Sequence, residues 1–362
     1  MPHANPPFTF AVGYQQPENG ERFSDIVADY QPQVGEVYFA WVGTPSGRPI
    51  LGAHDDDSDA IQDLLEEDLK ALRQLGVKLD ILFNANCYGA HAFSRELDNN
   101  VRGVMDYLGE LGCQPDIITT TSPAIAHISK THFPAVEVRA SVNMRIGSTQ
   151  AMSYVDDLFD SFYLQRDRQR DLRHVASVHQ WCERHHKKLC LLANSGCLKY
   201  CPGQTFHDNF LAHIAKVETM DNLPGWNPHV CWNLYRKPEH FVEFLKATWI
   251  RPEDLHHYAG MVHTVKLATR QHSHPRVVIG AYANQSFAGD LLSLTEPGFS
   301  TAFAPFYIDN QAFPPDWAEH MAQCPENCDS CHYCQDVLKL VLKLVLKNSN
   351  GGRWDVGDVG DE

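Results

Sequence analysis

The sequence has 362 residues, of which 43% are hydrophobic and 21% charged, so its composition is that of a globular protein and excludes a disordered one. Its formal net charge of −15 opposes the phosphate backbone of nucleic acids, so bulk nucleic-acid binding is not expected. No apolar run approaches the roughly 20 residues of a membrane-spanning helix, and the N-terminus lacks the regions of a secretory signal. We therefore expect a cytoplasmic protein without a membrane span.

The first 270 residues repeat one unit, in which a short apolar run is followed by a polar loop and a helical pattern. The eight apolar runs predict strands at 8–13, 35–41, 79–86, 116–121, 136–143, 161–165, 189–194 and 262–267. They are mostly apolar on both faces, as parallel strands covered by helices are. This alternation predicts a TIM-type (β/α)8 barrel over residues 1–270. A doubly wound sheet is the alternative, but no G-x-G-x-x-G follows the first run.

Two segments depart from this repeat. An insertion at 195–261 separates the seventh and eighth predicted strands, and loops of such length usually carry function. After the barrel, residues 271–347 form an extension with a cysteine cluster and a predicted helix that places Lys339, Lys343 and Lys347 on one face. The other faces of this helix are apolar, so we expect it to pack against the protein or a protein partner. Residues 348–362 have the composition of a disordered tail.

The chain contains 11 cysteines, and in a reducing compartment clustered cysteines indicate metal binding or catalysis rather than disulfides. Four lie apart and are interpreted as structural: Cys87, Cys113, Cys182 and Cys190. A first group, Cys197, Cys201 and Cys231, begins directly after the seventh strand, at the end of a barrel where active sites are built. Three thiolates can hold an iron–sulfur cubane and leave one iron free. Three unrelated buried thiols are the alternative.

A second group follows the barrel in the stretch CPENCDSCHYC, which contains Cys324, Cys328, Cys331 and Cys334. Four cysteines so close together in a polar stretch predict a metal site, and their spacing suits a cubane cluster or a structural zinc. The first three also reproduce the C-x3-C-x2-C pattern of radical S-adenosylmethionine enzymes. Those enzymes carry it after their first strand, so the position does not match.

Polar side chains follow several of the predicted strands, where a barrel pocket opens. Arg145 and Arg166 are candidate carboxylate clamps, Asn194 ends the seventh strand, and His207 is a candidate proton relay or cluster ligand. For each of them, a loop cap or a helix start is the alternative. Further polar residues near strand ends are Asn84, Asn86, Thr119, Thr120, Thr121, Asn143, Gln165, Asp208, Lys266 and Arg270.

Three stretches together resemble the peptidase U32 (collagenase-like) family: LLANSGCLKYCPGQTFHDN, TWIRPEDLHHYAGMVHTVKLATR and CPENCDSCHYC. The resemblance covers roughly 78–340. It implies a TIM-type barrel with an oxygen-sensitive 4Fe–4S cluster, and several members act in oxygen-independent hydroxylation of ubiquinone precursors or RNA bases. The cluster ligands would be Cys197, Cys201 and Cys231. The hydroxylase branch has four cysteines at other spacings, which leaves the substrate and the fourth ligand open, with Cys190 as the nearby cysteine.

The sequence thus predicts an iron–sulfur enzyme that modifies a polar small molecule or macromolecule and needs an electron donor. A second 4Fe–4S cluster or a zinc is expected at the C-terminal cysteines. A radical S-adenosylmethionine-like enzyme and a non-catalytic, zinc-stapled interaction scaffold are the alternatives. The sequence shows no Ser/His/Asp or H-E-x-x-H signature, so peptidase activity is not expected.

Overall fold

The computed structural model describes residues 8–16, 20–48, 58–346 and 355–357. Eight parallel strands pair in chain order and close into a barrel when β8 pairs with β1. The strands are β1 Thr9–Gly13, β2 Val34–Phe39, β3 Lys78–Phe83, β4 Ile117–Thr120, β5 Glu137–Ala140, β6 Ser161–Tyr163, β7 Lys188–Leu192 and β8 Thr264–Leu267. Each overlaps one predicted run, which confirms the TIM-type barrel.

Helices between the strands cover the barrel with their apolar stripes. They are α1 Phe23–Asp29, α2 Ser58–Gln74, α3 Arg95–Glu110, α4 Pro123–His132, α5 Thr149–Ser153 and α6 Leu172–Arg184. In α2, for example, Leu65, Leu69 and Leu72 recur at helical spacing and are fully buried. Side-chain caps begin several of them, as where Ser94 accepts a hydrogen bond from the Leu97 amide. In the part of the chain that the structure describes, no helix has the length and apolar character needed to cross a bilayer.

The insertion between β7 and β8 is built from short helices. They are α7 Gln204–Ala212, α8 Ile214–Val217, α9 Val230–Leu234 and α10 Val242–Leu245, with 3-10 turns at Pro238–His240 and Pro252–Tyr258. Aromatic rings join this insertion to the segment after the barrel: Tyr235 lies 4.7 Å from Phe299, and Phe241 stacks 3.8 Å from Phe303. The insertion and the C-terminal extension therefore share one aromatic core.

The C-terminal extension contains four helices and a small antiparallel sheet. They are α11 Pro275–Ala283, α12 Ser300–Phe303, α13 Trp317–Ala322 and α14 Tyr333–Val341, with strands β9 Phe306–Ile308, β10 Leu342–Leu346 and β11 Asp355–Gly357 in the sheet order β11-β10-β9. Further 3-10 turns in the chain are Gly89–His91, Val142–Met144, Arg166–Arg168, Leu291–Ser293 and Asn310–Ala312.

The predicted tail helix is wrong beyond Val341. From Leu342 the chain is extended, and it pairs with β9 on one side and with β11 on the other. The repeat VLKLVLK also alternates apolar residues with lysine over part of its length, so pairing with a neighbouring strand overrides the helical pattern. Residues 355–357 of the predicted disordered tail form β11. Lys347 and the rest of that tail lie outside the described residues.

The interior of the barrel is charged at its centre. Arg139 in β5 is 1% exposed and binds both carboxylate oxygens of Glu36 in β2, with Nη1–Oε1 at 2.5 Å and Nη2–Oε2 at 3.2 Å. Arg139 also donates to Glu137 Oε1 at 2.9 Å, and its Nη1 lies 3.8 Å from Asp80 Oδ2. The barrel strands are thus joined by a buried network of one guanidinium and three carboxyl groups.

Candidate active site

The cysteine loop begins where β7 ends, and the Asn194 side chain fixes its start. Asn194 Nδ2 donates to the carbonyls of Ala268 at 3.0 Å and Leu294 at 2.9 Å, and its Oδ1 accepts from the Ala268 amide at 2.6 Å. Both N–H donors of the amide are thereby used, and Asn194 is fully buried. These contacts are the backbone hydrogen bonds expected as the alternative to a catalytic role, and the catalytic role itself stays a prediction.

Gly196 lets the loop approach the C-terminal extension closely. Its amide donates to the Glu296 carbonyl at 3.1 Å, and Ser195 forms a parallel bridge with Glu296. A Cβ atom at Gly196 would lie 2.4 Å from the Pro297 carbonyl oxygen, closer than van der Waals contact allows. Only glycine fits at this position without a shift of the backbone.

We expect Gly196→Ala to lower the free energy of unfolding by about 1–3 kcal/mol, because the added methyl group overpacks a rigid backbone contact. Chemical denaturation measures the change. Gly103→Ala in α3 is the matched control, since a Cβ there meets nothing within 4 Å, and it should stabilise the helix by about 0.5–1 kcal/mol. Equal stability of Gly196→Ala and the wild type would contradict the close approach.

The three loop cysteines lie close enough to influence one another's ionisation. Burial raises the pKa of Cys231 to about 12, and Cys197 and Cys201 add to this rise. Burial also raises the pKa of Cys201, again with a contribution from Cys197. Arg166 Nη1 lies 3.1 Å from Cys197 Sγ and donates a hydrogen bond to it. Three neighbouring thiols beside one guanidinium form a donor set that suits a soft metal centre, which would take them as thiolates.

Two polar residues outside the cysteine pattern hold this loop. Asp167 Oδ1 accepts a hydrogen bond from the Tyr200 amide at 2.6 Å, where Tyr200 has a φ of 55°. Thr248 Oγ1 donates to the carbonyls of Ser195 and Cys197 at 3.2 and 3.3 Å. The sequence interpretation did not single out either residue, because their contacts join distant parts of the chain.

In the described ranges, no group of three or more His, Cys, Asp or Glu side chains is arranged so that it could hold a metal ion. Cys197, Cys201 and Cys231 are neighbours of the right chemistry, and each is only partly buried. Cys190 differs, because it is fully buried inside the barrel, where it packs with Val142, Tyr163 and Leu192. Its position indicates packing.

Three of the four predicted catalytic residues meet at the cysteine loop. Arg166 contacts Cys197, and Arg145 Nη2 donates to Thr205 Oγ1 at 2.6 Å. His207 in α7 lies 4.7 Å from the His229 ring, and burial lowers the pKa of His207 to about 4, assisted by His229 and nearby arginines. Its imidazole is therefore neutral at pH 7.

Asp208, the neighbour of His207 in α7, has a carboxyl oxygen without a hydrogen bond. Its Oδ2 is buried and unpartnered within the described residues. Burial raises the pKa of this carboxyl, and Arg166, Arg145 and Arg48 oppose the rise. The face of the barrel that carries the cysteines is thus strongly cationic, although the whole chain is acidic.

A cavity of about 590 Å³ opens beside the loop and is large enough for a small molecule. Its walls include Arg48, His207, His229, Cys231 and Glu296. A larger cavity of about 790 Å³ lies between the ends of β2 and β3 and residues 212–216. Its described walls include none of the loop cysteines, so we place the candidate active site at the smaller cavity.

A partly buried ion pair forms one wall of the smaller cavity. Arg48 donates from Nε at 2.8 Å and from Nη2 at 2.6 Å to Glu296 Oε1. The preceding Gly47 amide donates to Asn84 Oδ1 at 2.9 Å, and a Cβ at Gly47 would lie 2.9 Å from Asn143 Nδ2. The segment after β2 therefore crosses the mouth of the barrel from the ends of β3 and β5 to the far wall. The sequence carries no local signal for this pair.

Two comparisons with known proteins agree with the motifs and the fold. The chain is 27% identical over 286 residues to "Uncharacterized protease MJ1657" of Methanocaldococcus jannaschii, across 77% of this chain and 82% of that protein. A solved structure, "The Structure of the U32 Peptidase Mk0906", matches with a TM-score of 0.50 over 75% of this chain and 96% of that chain, at 13% identity. The chain is thus similar in sequence to a protein named as a protease, and it shares the fold of a U32 peptidase. No family model matches this chain.

The C-terminal cysteines lie beside the cysteine loop. Glu326, between Cys324 and Cys328 in sequence, accepts hydrogen bonds from Tyr200 Oη at 2.9 Å and from Lys199 Nζ. Both donors belong to the loop between Cys197 and Cys201. The sequence interpretation treated the two cysteine groups as separate, whereas these contacts make them neighbours.

Cysteines of the C-terminal group also influence one another's ionisation. Burial raises the pKa of Cys334 to about 11 against the charge of Arg170, and Cys324 and Cys328 add to the rise. Cys331 is exposed. Arg170 itself lies over the rings of Trp249 and Trp317 at 4.8 and 5.2 Å, so a fixed cation stands next to these thiols.

Proposed function

We propose that this protein is an iron–sulfur enzyme whose cluster is bound by Cys197, Cys201 and Cys231. The observation that carries the proposal is the proximity of these three thiols on the C-terminal face of a TIM-type barrel, directly beside a cavity of about 590 Å³. Active sites of this fold form on that face. The substrate would occupy the cavity, and the reaction class is oxygen-independent hydroxylation or a related modification.

The residues around the loop have separable roles in this proposal. A bound cluster supplies electron transfer or Lewis-acid chemistry. Arg166 stabilises the Cys197 thiolate through its hydrogen bond. His207 is neutral at pH 7, so a ring nitrogen can accept a hydrogen bond or bind the cluster, while Arg145 adds positive charge for an anionic substrate. The fourth iron is left for substrate or a non-cysteine ligand.

The C-terminal group is proposed as a second centre, either a cubane cluster or a structural zinc. Its contact with the loop through Glu326 supports a joint role. A cluster there would pass electrons from an external donor to the loop site. A zinc there would only hold the tail against the loop.

A peptidase is the second candidate, and the name of the archaeal relative is what supports it. Peptidases that use a nucleophile need a hydroxyl or thiol activated by a base. His207 has His229 as its ring partner, and in the described part of this face no serine or threonine hydroxyl is hydrogen-bonded to a histidine. The geometry therefore favours the iron–sulfur enzyme.

Metal analysis of anaerobically purified protein tests the proposal. We expect a brown wild-type protein with iron, sulfide and absorbance near about 400 nm. Cys201→Ala should lose the iron of the loop site, whereas Cys331→Ala should lose only the metal of the C-terminal group. Cys87→Ala, a partly buried cysteine outside both groups, is the matched control and should keep all metal.

The outcomes separate the candidates. Colourless wild-type protein that contains only zinc would overturn the iron–sulfur enzyme, as would full iron content in Cys201→Ala. Cleavage of a denatured protein substrate by iron-free protein would favour the peptidase.

A further inference from the structure

Two cations, the buried Lys266 at the end of β8 and the partly buried Arg270 beyond it, have no hydrogen-bonded carboxylate partner among the described residues. Lys266 is 8% exposed, and no group in the described ranges accepts a hydrogen bond from its ammonium. Its Nζ lies 3.6 Å from the centroid of the Tyr38 ring and 5.4 Å from that of Tyr163. Aromatic faces attract a cation but offer no lone pairs for its three N–H donors. A buried ammonium in this state is costly without a further ligand.

Arg270 follows three residues after the end of β8 and presents a second unmatched group. Its Nη1 is buried and has no hydrogen-bond partner among the described residues. Its charged neighbours are Arg48, which repels it, and Glu296. Arg48 already binds Oε1 of Glu296 through two nitrogen atoms. The guanidinium of Arg270 therefore has Glu296 as its neighbouring carboxylate, but Glu296 is hydrogen-bonded to Arg48.

Within the described residues, Arg139 and Lys188 have hydrogen-bonded carboxylate partners, unlike Lys266 and Arg270. Arg139 binds Glu36 and Glu137, and Glu137 also accepts from Lys188 Nζ at 2.6 Å. The remaining carboxyl, Asp80, accepts from Thr119 Oγ1 at 2.8 Å, and burial raises its pKa to about 7. Asp80 lies near enough to oppose the lowering of the Lys266 pKa by burial, but no hydrogen bond joins the two side chains in the described structure.

The position of Lys266 and Arg270 in the barrel agrees with their charge in indicating an anion site. The end of β8 lies at the C-terminal face, where TIM-type barrels bind anionic groups. Tyr38 lies next to both cations, because its ring lies under Lys266 and Arg270 is among its charged neighbours. The Tyr38 hydroxyl donates to the Leu267 carbonyl at 2.8 Å. Gly13 makes room for this ring, since a Cβ there would lie 2.6 Å from it. The ring under Lys266 is therefore held in place by its own packing and hydrogen bond.

We propose that Lys266 and Arg270 bind the anionic oxygen group, a carboxylate or a phosphate, of a small molecule that enters the barrel mouth. The oxygen atoms would accept the hydrogen bonds that both cations now lack, in a setting where charge-assisted bonds are strong. The inference deepens the proposed function, because it names the substrate class of the same face. Its residues belong to neither cysteine group, and binding requires no cluster.

Calorimetric titration of the full-length protein with inorganic phosphate, succinate and neutral succinamide tests this site. We expect the wild type to bind at least one of the two anions and not succinamide. Phosphate binding alone identifies a phosphate ligand, and succinate binding alone identifies a carboxylate. Lys266→Met and Arg270→Met should each weaken binding about tenfold or more, since each removes a charge-assisted hydrogen bond. Lys70→Met, on the outer surface of α2, is the control and should bind as the wild type does.

Thermal unfolding without ligand separates binding from a structural role. Lys266→Met removes an unmatched buried charge, so it should melt at the same or a higher temperature while it loses anion binding. Absence of anion binding in the wild type would overturn the inference. So would anion affinities of both variants equal to that of the wild type, or a marked loss of ligand-free stability in Lys266→Met. Iron content measured on the same samples tests the proposed function separately. Anion binding by a protein that contains no iron would contradict the iron–sulfur enzyme but not the anion site.

Discussion

Arg139→Met should lower the free energy of unfolding by about 3–5 kcal/mol, because it leaves buried carboxylates without their partner. Arg139 is 1% exposed and binds Glu36 and Glu137 directly, with Asp80 close by. Water cannot replace the lost hydrogen bonds inside the packed barrel. Urea denaturation at pH 7 measures the effect, and the midpoint should fall without a change of slope.

A surface arginine with the same number of partners provides the control. Arg276 pairs with Glu21 at 2.5 Å and with Asp29 at 2.7 Å, but its side chain is 37% exposed. Arg276→Met should therefore cost less than about 1 kcal/mol. The double variant Glu36→Gln/Arg139→Met should recover part of the loss of Arg139→Met, since it removes one stranded charge. Equal losses for Arg139→Met and Arg276→Met would show that the interior network contributes little.

Glu137→Gln should destabilise the protein at neutral pH by up to about 3 kcal/mol, and the loss should shrink in acid. Burial raises the pKa of Glu137, but Arg139, Lys188 and Ser161 outweigh it and lower the value from about 4.5 to about 2. Because the folded-state pKa lies below the unfolded-state value, stabilisation by the ionised carboxylate is complete above about pH 4.5. It is lost as the pH falls toward 2.

Denaturation at several pH values measures this effect. The gap in unfolding free energy between the wild type and Glu137→Gln should be about 2 kcal/mol smaller at pH 3 than at pH 5. Glu21→Gln, at the exposed ion pair with Arg276, is the control and should show only a small gap. A gap for Glu137→Gln that stays constant between pH 5 and pH 3 would mean that the carboxylate is not stabilised in its charged form.

The barrel was predictable because its strands are encoded locally. Each of the eight apolar runs is long enough to form a buried parallel strand, and burial on both faces fixes its character. The position of the cysteine loop at the end of β7 was predictable too, because the loop follows this strand directly in the sequence. Local pattern failed at Leu342–Leu346, where pairing with β9 decides the conformation. The repeat fits both a helical and an extended pattern, so the sequence alone does not show that it pairs with β9.

The charged parts of the site were harder to predict because they depend on distant contacts. Arg48 and Glu296 are 248 residues apart in sequence, and neither stands in a recognisable motif. Glu36, Asp80 and Arg139 did carry a signal, since each is a charged residue within an apolar strand. Asn194 shows the opposite case: a polar residue at a strand end was predicted to face substrate, yet it binds backbone groups on both sides.

The hydrogen bonds from Lys199 and Tyr200 to Glu326 have a consequence for the order of assembly. Lys199 and Glu326 are 127 residues apart in sequence. A ribosome that adds about 5–20 residues per second makes the second contact partner roughly 6–25 s after the first. During that interval the loop thiols of a nascent chain lack their C-terminal neighbour. The loop reaches its final surroundings only after Glu326 has been synthesised and has left the ribosome.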